Sequence, residues 1–147
     1  MDASTGHGVG LLWKYQWYFW ETREDWCGSP GEGRDIGWLE AVGIEMAIRL
    51  ISLRGIHDAD LLIRSDNEGA IHTFRKGCSH NHMVNACIKR TEAILAERNL
   101  SITLLYVPSE SNLADPISRG IFPNITLHIV SPPSLPNDIS HWFQHAR

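Results

Sequence analysis

In the stretch Leu61-Leu62-Ile63-Arg64-Ser65-Asp66-Asn67-Glu68-Gly69-Ala70-Ile71, an apolar run gives way within two residues to a helical one. Leu61 to Ser65 predicts a short buried strand, and about Glu68 to Lys76 a short helix. Asp66 therefore stands at the carboxyl end of a strand, where open α/β sheets bind ligands. Asp and Asn both cap helices. If Asn67 is the cap, Asp66 is free for chemistry; if Asp66 is the cap, its role is structural.

Outward from this point the chain keeps the same alternation. Toward the C-terminus, Gly77 to His82 is a polar connector. About Met83 to Arg98 predicts a long helix with Val84, Cys87, Ile88, Thr91, Ile94 and Leu95 on one side. Ser101 to Val107 predicts a strand ended by Pro108, and Asn112 to Arg119 a short helix. Toward the N-terminus, Gly8 to Leu12 and the aromatic run Lys14 to Trp20 predict strands. Glu21 to Arg34 is a loop. Asp35 caps a helix that runs to about Arg54, with Gly55 as its stop. Hairpin strands first, then strands alternating with helices, predict an α/β mixed sheet with helices on both faces. Residues 1–120 form the predicted domain. Residues 121–147, with Pro123, Pro132, Pro133 and Pro136, form a Pro-rich tail that packs little except where Trp142 and Phe143 dock.

Four acids fall at the edges of these elements: Asp2, Glu40, Asp66 and Asp115. Carboxylate oxygens are the ligands of hard cations such as Mg²⁺. Two such ions roughly 4 Å apart can activate a water and stabilise the leaving oxygen of a phosphodiester. Each acid also has a plain structural account: a terminus for Asp2, the helix dipole for Glu40, caps for Asp66 and Asp115. Helix geometry separates Glu40 from its neighbour Glu45. At about 100° per residue, Leu39, Val42, Gly43, Met46, Ala47, Leu50, Ile51 and Leu53 cover one broad arc that contains Glu40. A carboxylate in a buried stripe must be paired or hold a metal. Glu45 falls opposite, with Trp38 and Ser52, and is expected to be a surface residue paired with Arg49.

The bulk numbers fit one globular domain: 147 residues, 43% hydrophobic and 20% charged. A net charge of −4 argues against a simple non-specific nucleic-acid binder. It suits a nuclease whose cations offset its acids. Cys27, Cys78 and Cys87 are an odd number at spacings that suggest reduced thiols. With no signal peptide and no apolar run long enough to cross a bilayer, an intracellular location, cytoplasm or nucleus, is expected. Cys78, His80, His82 and Cys87 carry ligand atoms, but their spacing fits no zinc pattern. Asn124-Ile125-Thr126 is a glycosylation sequon expected to be chance.

Taken in order, Asp2-Ala3-Ser4-Thr5, Asp35-Ile36-Gly37-Trp38-Leu39-Glu40-Ala41-Val42 and Ser65-Asp66-Asn67-Glu68-Gly69-Ala70-Ile71 resemble the RNase H domains of fungal retrotransposons. Tyr106-Val107-Pro108-Ser109-Glu110-Ser111-Asn112-Leu113-Ala114-Asp115-Pro116-Ile117-Ser118-Arg119-Gly120 is the most specific stretch. It resembles the last catalytic segment of DIRS-like and Gypsy-like polyproteins. The resemblance covers about residues 2 to 120. It implies an RNase H-like α/β fold: a five-stranded mixed sheet, three strands antiparallel and two parallel, with helices on both faces. It also implies an endoribonuclease that cleaves the RNA strand of RNA–DNA hybrids with Mg²⁺ or Mn²⁺ in a two-metal site, and an upstream reverse transcriptase as partner. Carried over by position, Asp2, Glu40, Asp66 and Asp115 are the catalytic metal ligands. Asn67 and Asn112 are candidates for contacts to substrate or behind the ligands.

Two departures from that family bear on activity. Asp2 follows Met1 directly, whereas the family has apolar residues that complete a central first strand ahead of this aspartate. The implied outcome is weak metal binding and low or absent cleavage. The loop Pro108 to Asn112 also lacks the histidine of cellular members. The alternative function is a catalytically silent RNase H-fold remnant, kept as an interaction or structural module. An integrase-type core is disfavoured because the Glu40 helix precedes Asp66.

Overall fold

The computed structural model describes residues 1–124, 127–129 and 131–144. The sequon residues Ile125 and Thr126 lie outside the described residues. Three antiparallel strands come first: β1 (Asp2–Ser4), β2 (Gly8–Trp13) and β3 (Gln16–Glu21). Next are α1 (Ile36–Leu53), β4 (Ala59–Ser65), α2 (Glu68–Lys76), α3 (His82–Arg98) and β5 (Leu100–Tyr106). A 3₁₀ turn (Ser109–Ser111) leads to the short α4 (Asp115–Ser118), and β6 (Leu127–His128) lies in the tail. The protein is thus α/β, with three antiparallel strands and the parallel pair β4–β5. β6 adds a short parallel edge to β3.

Local chemistry accounts for most boundaries. Asp35 accepts a hydrogen bond from the Trp38 amide at 2.9 Å and starts α1. Gly55, at φ +77°, follows its end, a left-handed position that favours glycine. Asn67 accepts from Ala70 N and starts α2, which Gly77 stops in the left-handed region. Several boundaries differ from expectation: β4 begins at Ala59 and α4 only at Asp115. The aromatic run does not begin at Lys14, because Lys14 and Tyr15 have φ of 49° and 64° and form a two-residue hairpin turn. Two positive φ values match the right-handed twist of the flanking strands.

Helices cover both faces of the hairpin sheet. Val9 points toward α1: a Cβ on Gly43 would meet its Cγ1 at 3.2 Å. Gly10, its neighbour on the opposite face, lies against α4; a Cβ there would meet Ser118 N at 2.5 Å and Ala114 O at 2.9 Å. Strands β1–β3 and strands β4–β5 form separate ladders. They meet where the Met1 amino group donates to the Arg64 carbonyl at 3.1 Å.

Two expectations are corrected. Glu45 is not on the surface. It is completely buried, as is Trp38, because α1 is sandwiched between the sheet and α3. The expected Arg49 pair exists at 2.8 Å, and Arg90 of α3 adds a second pair at 2.9 Å. Nor does the tail pack little. Ile129, Ile139 and Phe143 are buried in the main core. Phe143 docks as expected, bridging Thr22 and lying 6.3 Å from the Trp38 ring, which in turn stacks near Trp26 at 6.0 Å. Arg34 sits 3.5 Å over the Trp142 ring, and Arg90 reaches Asp138 at 2.9 Å. These contacts fasten the tail across the 21–35 loop. Among the described residues no helix is long and apolar enough to cross a membrane.

Candidate metal centre

Three elements deliver three carboxylates to one point. Asp2 lies at the start of β1, Glu40 in the second turn of α1, and Asp66 just past β4. One oxygen from each lies within 4.8 Å of the others. Asp2 and Glu40 are buried, and Asp66 is half-buried. Among the described residues this is the one group of three or more metal-ligand side chains. Cys78, His80, His82 and Cys87 form no such group.

The surroundings hold each ligand in place. Glu40 Oε1 accepts a hydrogen bond from the Ala3 amide at 3.1 Å, which ties α1 to β1. Glu40 Oε2 is buried and has no protein partner. Buried polar atoms are almost always satisfied, so an orphan of this kind calls for an explanation. The Ser118 hydroxyl lies 2.6 Å from Asp2 Oδ2 and 2.8 Å from the Asp115 carbonyl. It has one proton, and the carboxylate is the stronger acceptor.

Asn67 is committed to capping α2, its Oδ1 2.8 Å from Ala70 N, so Asp66 is not consumed as the cap. Asn112 is buried behind the cluster. Its amide donates to the Met1 carbonyl at 3.0 Å, and its Oδ1 accepts from Ala114 N at 3.2 Å. It thereby fixes β1 against the segment that carries Ser118. Asp115 stands at the start of α4 and pairs with Arg119 at 3.2 Å instead of joining the three-acid group. Its charge still reaches Asp2.

The electrostatics follow from crowding anions in a dry place. Burial pushes Asp2 up to about 7 against the Ser118 hydrogen bond, and the charges of Asp66 and Asp115 push the same way. Burial pushes Glu40 up to about 8, with Asp2 and Asp66 adding to the rise and the Ala3 amide opposing it. The Met1 amino group opposes the rise at Glu40, but burial disfavours its own charged form, so without a further counter-charge protons must neutralise this cluster. A divalent cation does the same while also giving Glu40 Oε2 a partner. Three hard oxygen donors, one of them orphaned, fit Mg²⁺ or Mn²⁺.

The sequence pointed to the three ligands but not to Ser118, although its position three residues after Asp115 on one helical turn was a usable signal. Comparison of the chain with protein-family models, curated proteins and solved structures finds no match.

Proposed function

We propose that this chain is a metal-dependent endoribonuclease of RNase H-like fold, derived from a retroelement polyprotein, that cleaves the RNA strand of RNA–DNA hybrids. The observation that carries the proposal is the Asp2–Glu40–Asp66 cluster, in which Glu40 Oε2 is buried without a protein partner. The order of elements, three antiparallel strands followed by two parallel ones, supports the fold assignment. Asp2, Glu40 and Asp66 hold Mg²⁺ or Mn²⁺, and Asp115 is available as a fourth acid once it leaves Arg119. When bound, the cation supplies an activated water and charge stabilisation at the scissile phosphate. The chain's own part is positional: Ser118 and the Ala3 amide orient Asp2 and Glu40, and Asn112 holds β1 in register.

The Asp115–Arg119 pair favours a second reading, a silent remnant in which the fourth acid has turned to a structural partner. One experiment separates the two. Titrating Mn²⁺ and Mg²⁺ into the protein with an end-labelled RNA–DNA hybrid should give cleavage that saturates with metal and disappears in Glu40→Gln. Metal binding with no cleavage across the titration would leave the silent reading. Absence of both would refute the metal centre.

A further inference from the structure

Asp115 stands beside the three-acid group with its side chain engaged elsewhere. Its Oδ2 accepts a hydrogen bond from Arg119 Nε at 3.2 Å, one helical turn along. Its backbone is already at the cluster, because the Ser118 hydroxyl lies 2.6 Å from Asp2 Oδ2 and 2.8 Å from the Asp115 carbonyl. The side chain, rather than the backbone, is what Arg119 diverts. The pair is open to exchange. Its side chains are 56% and 25% exposed, and it uses one of the five donors of the guanidinium. Among the described residues, Arg119 Nη1 and Nη2 have no protein partner.

Arg119 also lines a cleft of about 670 Å³, together with Thr5 and His7 of the turn that follows β1. The cleft and the acid cluster are thus joined twice, through β1, which carries Asp2, and through the Ser118-Arg119 step, whose serine bonds Asp2. Arg23 is a second guanidinium in the cleft and donates to the His141 carbonyl at 3.4 Å. Glu21 and Glu24 line it as well, so an anion is favoured there only where a guanidinium reaches it. The planar fork of arginine matches two oxygens of a phosphate better than one oxygen of a carboxylate. A phosphate that takes the Nε side of Arg119 takes the proton that Asp115 now holds.

We propose that Arg119 is an anion-operated latch on the metal centre: a phosphate of the substrate backbone, taken by its guanidinium at the cleft, releases Asp115 to the Asp2–Glu40–Asp66 group. No bond is made or broken; one ion pair replaces another. Cation binding and backbone binding then strengthen each other by the same factor. The latch rests on the metal centre proposed above, and what it adds is the trigger that completes that centre.

In metal-free buffer, a short RNA–DNA hybrid at micromolar concentration should shift the Arg119 Nε–H and Asp115 carboxyl NMR signals of isotope-labelled protein. Inorganic phosphate should do so only at millimolar concentration. Calorimetric titration of the parent chain with Mn²⁺ in dimethyl phosphate, a diester that stands in for the backbone, should show affinity raised about tenfold. Arg119→Gln should reach that affinity without the diester and gain nothing from it. Asp115→Asn should bind Mn²⁺ as the parent does without the diester, and should also gain nothing. Mn²⁺ binding that neither the diester nor Arg119→Gln alters overturns the latch and leaves the metal centre standing. A parent chain that binds no Mn²⁺ overturns the metal centre and the latch with it. A gain from Arg119→Gln that persists alongside Asp115→Asn is the mere removal of a cation and overturns the latch. A hybrid without effect, where phosphate acts at micromolar concentration, overturns the assignment to a nucleic-acid backbone.

Discussion

Glu40 and Glu45 lie on the same helix, equally removed from water, and their surroundings are opposites. Glu45 has Arg49 at 2.8 Å and both Nε and Nη2 of Arg90 within about 3 Å, so its charge is fully compensated by protein. Glu40 has one amide on Oε1, nothing on Oε2, and two other acids at hand. Burial is therefore not what distinguishes a functional carboxylate. Under the proposed function, Glu40, with only the buried Met1 amino group as a nearby positive charge, is the carboxylate held for a metal.

The hardest test of this contrast is Glu40→Gln. It should abolish hybrid cleavage and cost more than about 100-fold in Mn²⁺ affinity, since even groups behind a ligand cost 10–100-fold. Calorimetric titration against the parent chain measures this. Comparable loss of metal affinity in Glu45→Gln would erase the distinction between the two sites.

Next in size is the converse. Glu45→Gln takes the buried acid from two arginines that are only partly exposed, leaving Arg90 with Asp138 alone, and should lower stability by about 3 kcal/mol in urea unfolding. Metal affinity should be unchanged below the shifted midpoint. The same denaturation applied to Glu40→Gln should show little loss in metal-free buffer, because that change removes a repulsive group.

The pH dependence sharpens the contrast further. Asp2 and Glu40 sit at about 7 and about 8 in the folded chain, above their ordinary 3.8 and 4.5. The folded state thus retains protons that the unfolded state has already released. Their contribution to stability is complete below about pH 4 and is lost as pH rises through 7 and 8. Metal-free protein should therefore lose Tm between about pH 5 and 8, and Mg²⁺ at pH 8 should restore it. Glu40→Gln should flatten that slope; Glu45→Gln should leave it as it was.

Smallest is Ser118→Ala. Removing the hydroxyl from Asp2 should cost about 1–2 kcal/mol and weaken metal binding about tenfold. Ser118→Thr, which keeps the donor, should recover the affinity.

The ease with which these features could be read from sequence tracks how local their causes are. The extent of α2 was legible because both candidate caps, Asp66 and Asn67, and the polar connector that opens at Gly77 lie within the helix's own neighbourhood. Glu40 could be identified because one apolar arc surrounds it. Glu45 was misplaced because α1 has a second buried face whose compensation is ionic and comes from Arg90, 45 residues away. Ile129 and Ile139 gave no periodic signal in a Pro-rich segment, so their burial was invisible until the tail was seen against the core. The division of strands into two ladders is likewise a matter of which edges meet in space.

The fastening of the tail also has a consequence in time. Trp26 and Trp38 are encoded early, yet their apolar enclosure is completed by Phe143, more than a hundred residues later. Arg90 gains its second acid only at Asp138. On the ribosome, the hairpin and α1 emerge well before the segment that closes over them. The nascent chain must therefore carry an exposed tryptophan pair until Phe143 has followed. Final closure of this side of the core is a late event, set by when residue 143 clears the exit tunnel, and during that interval the growing chain is most open to chaperones and to aggregation.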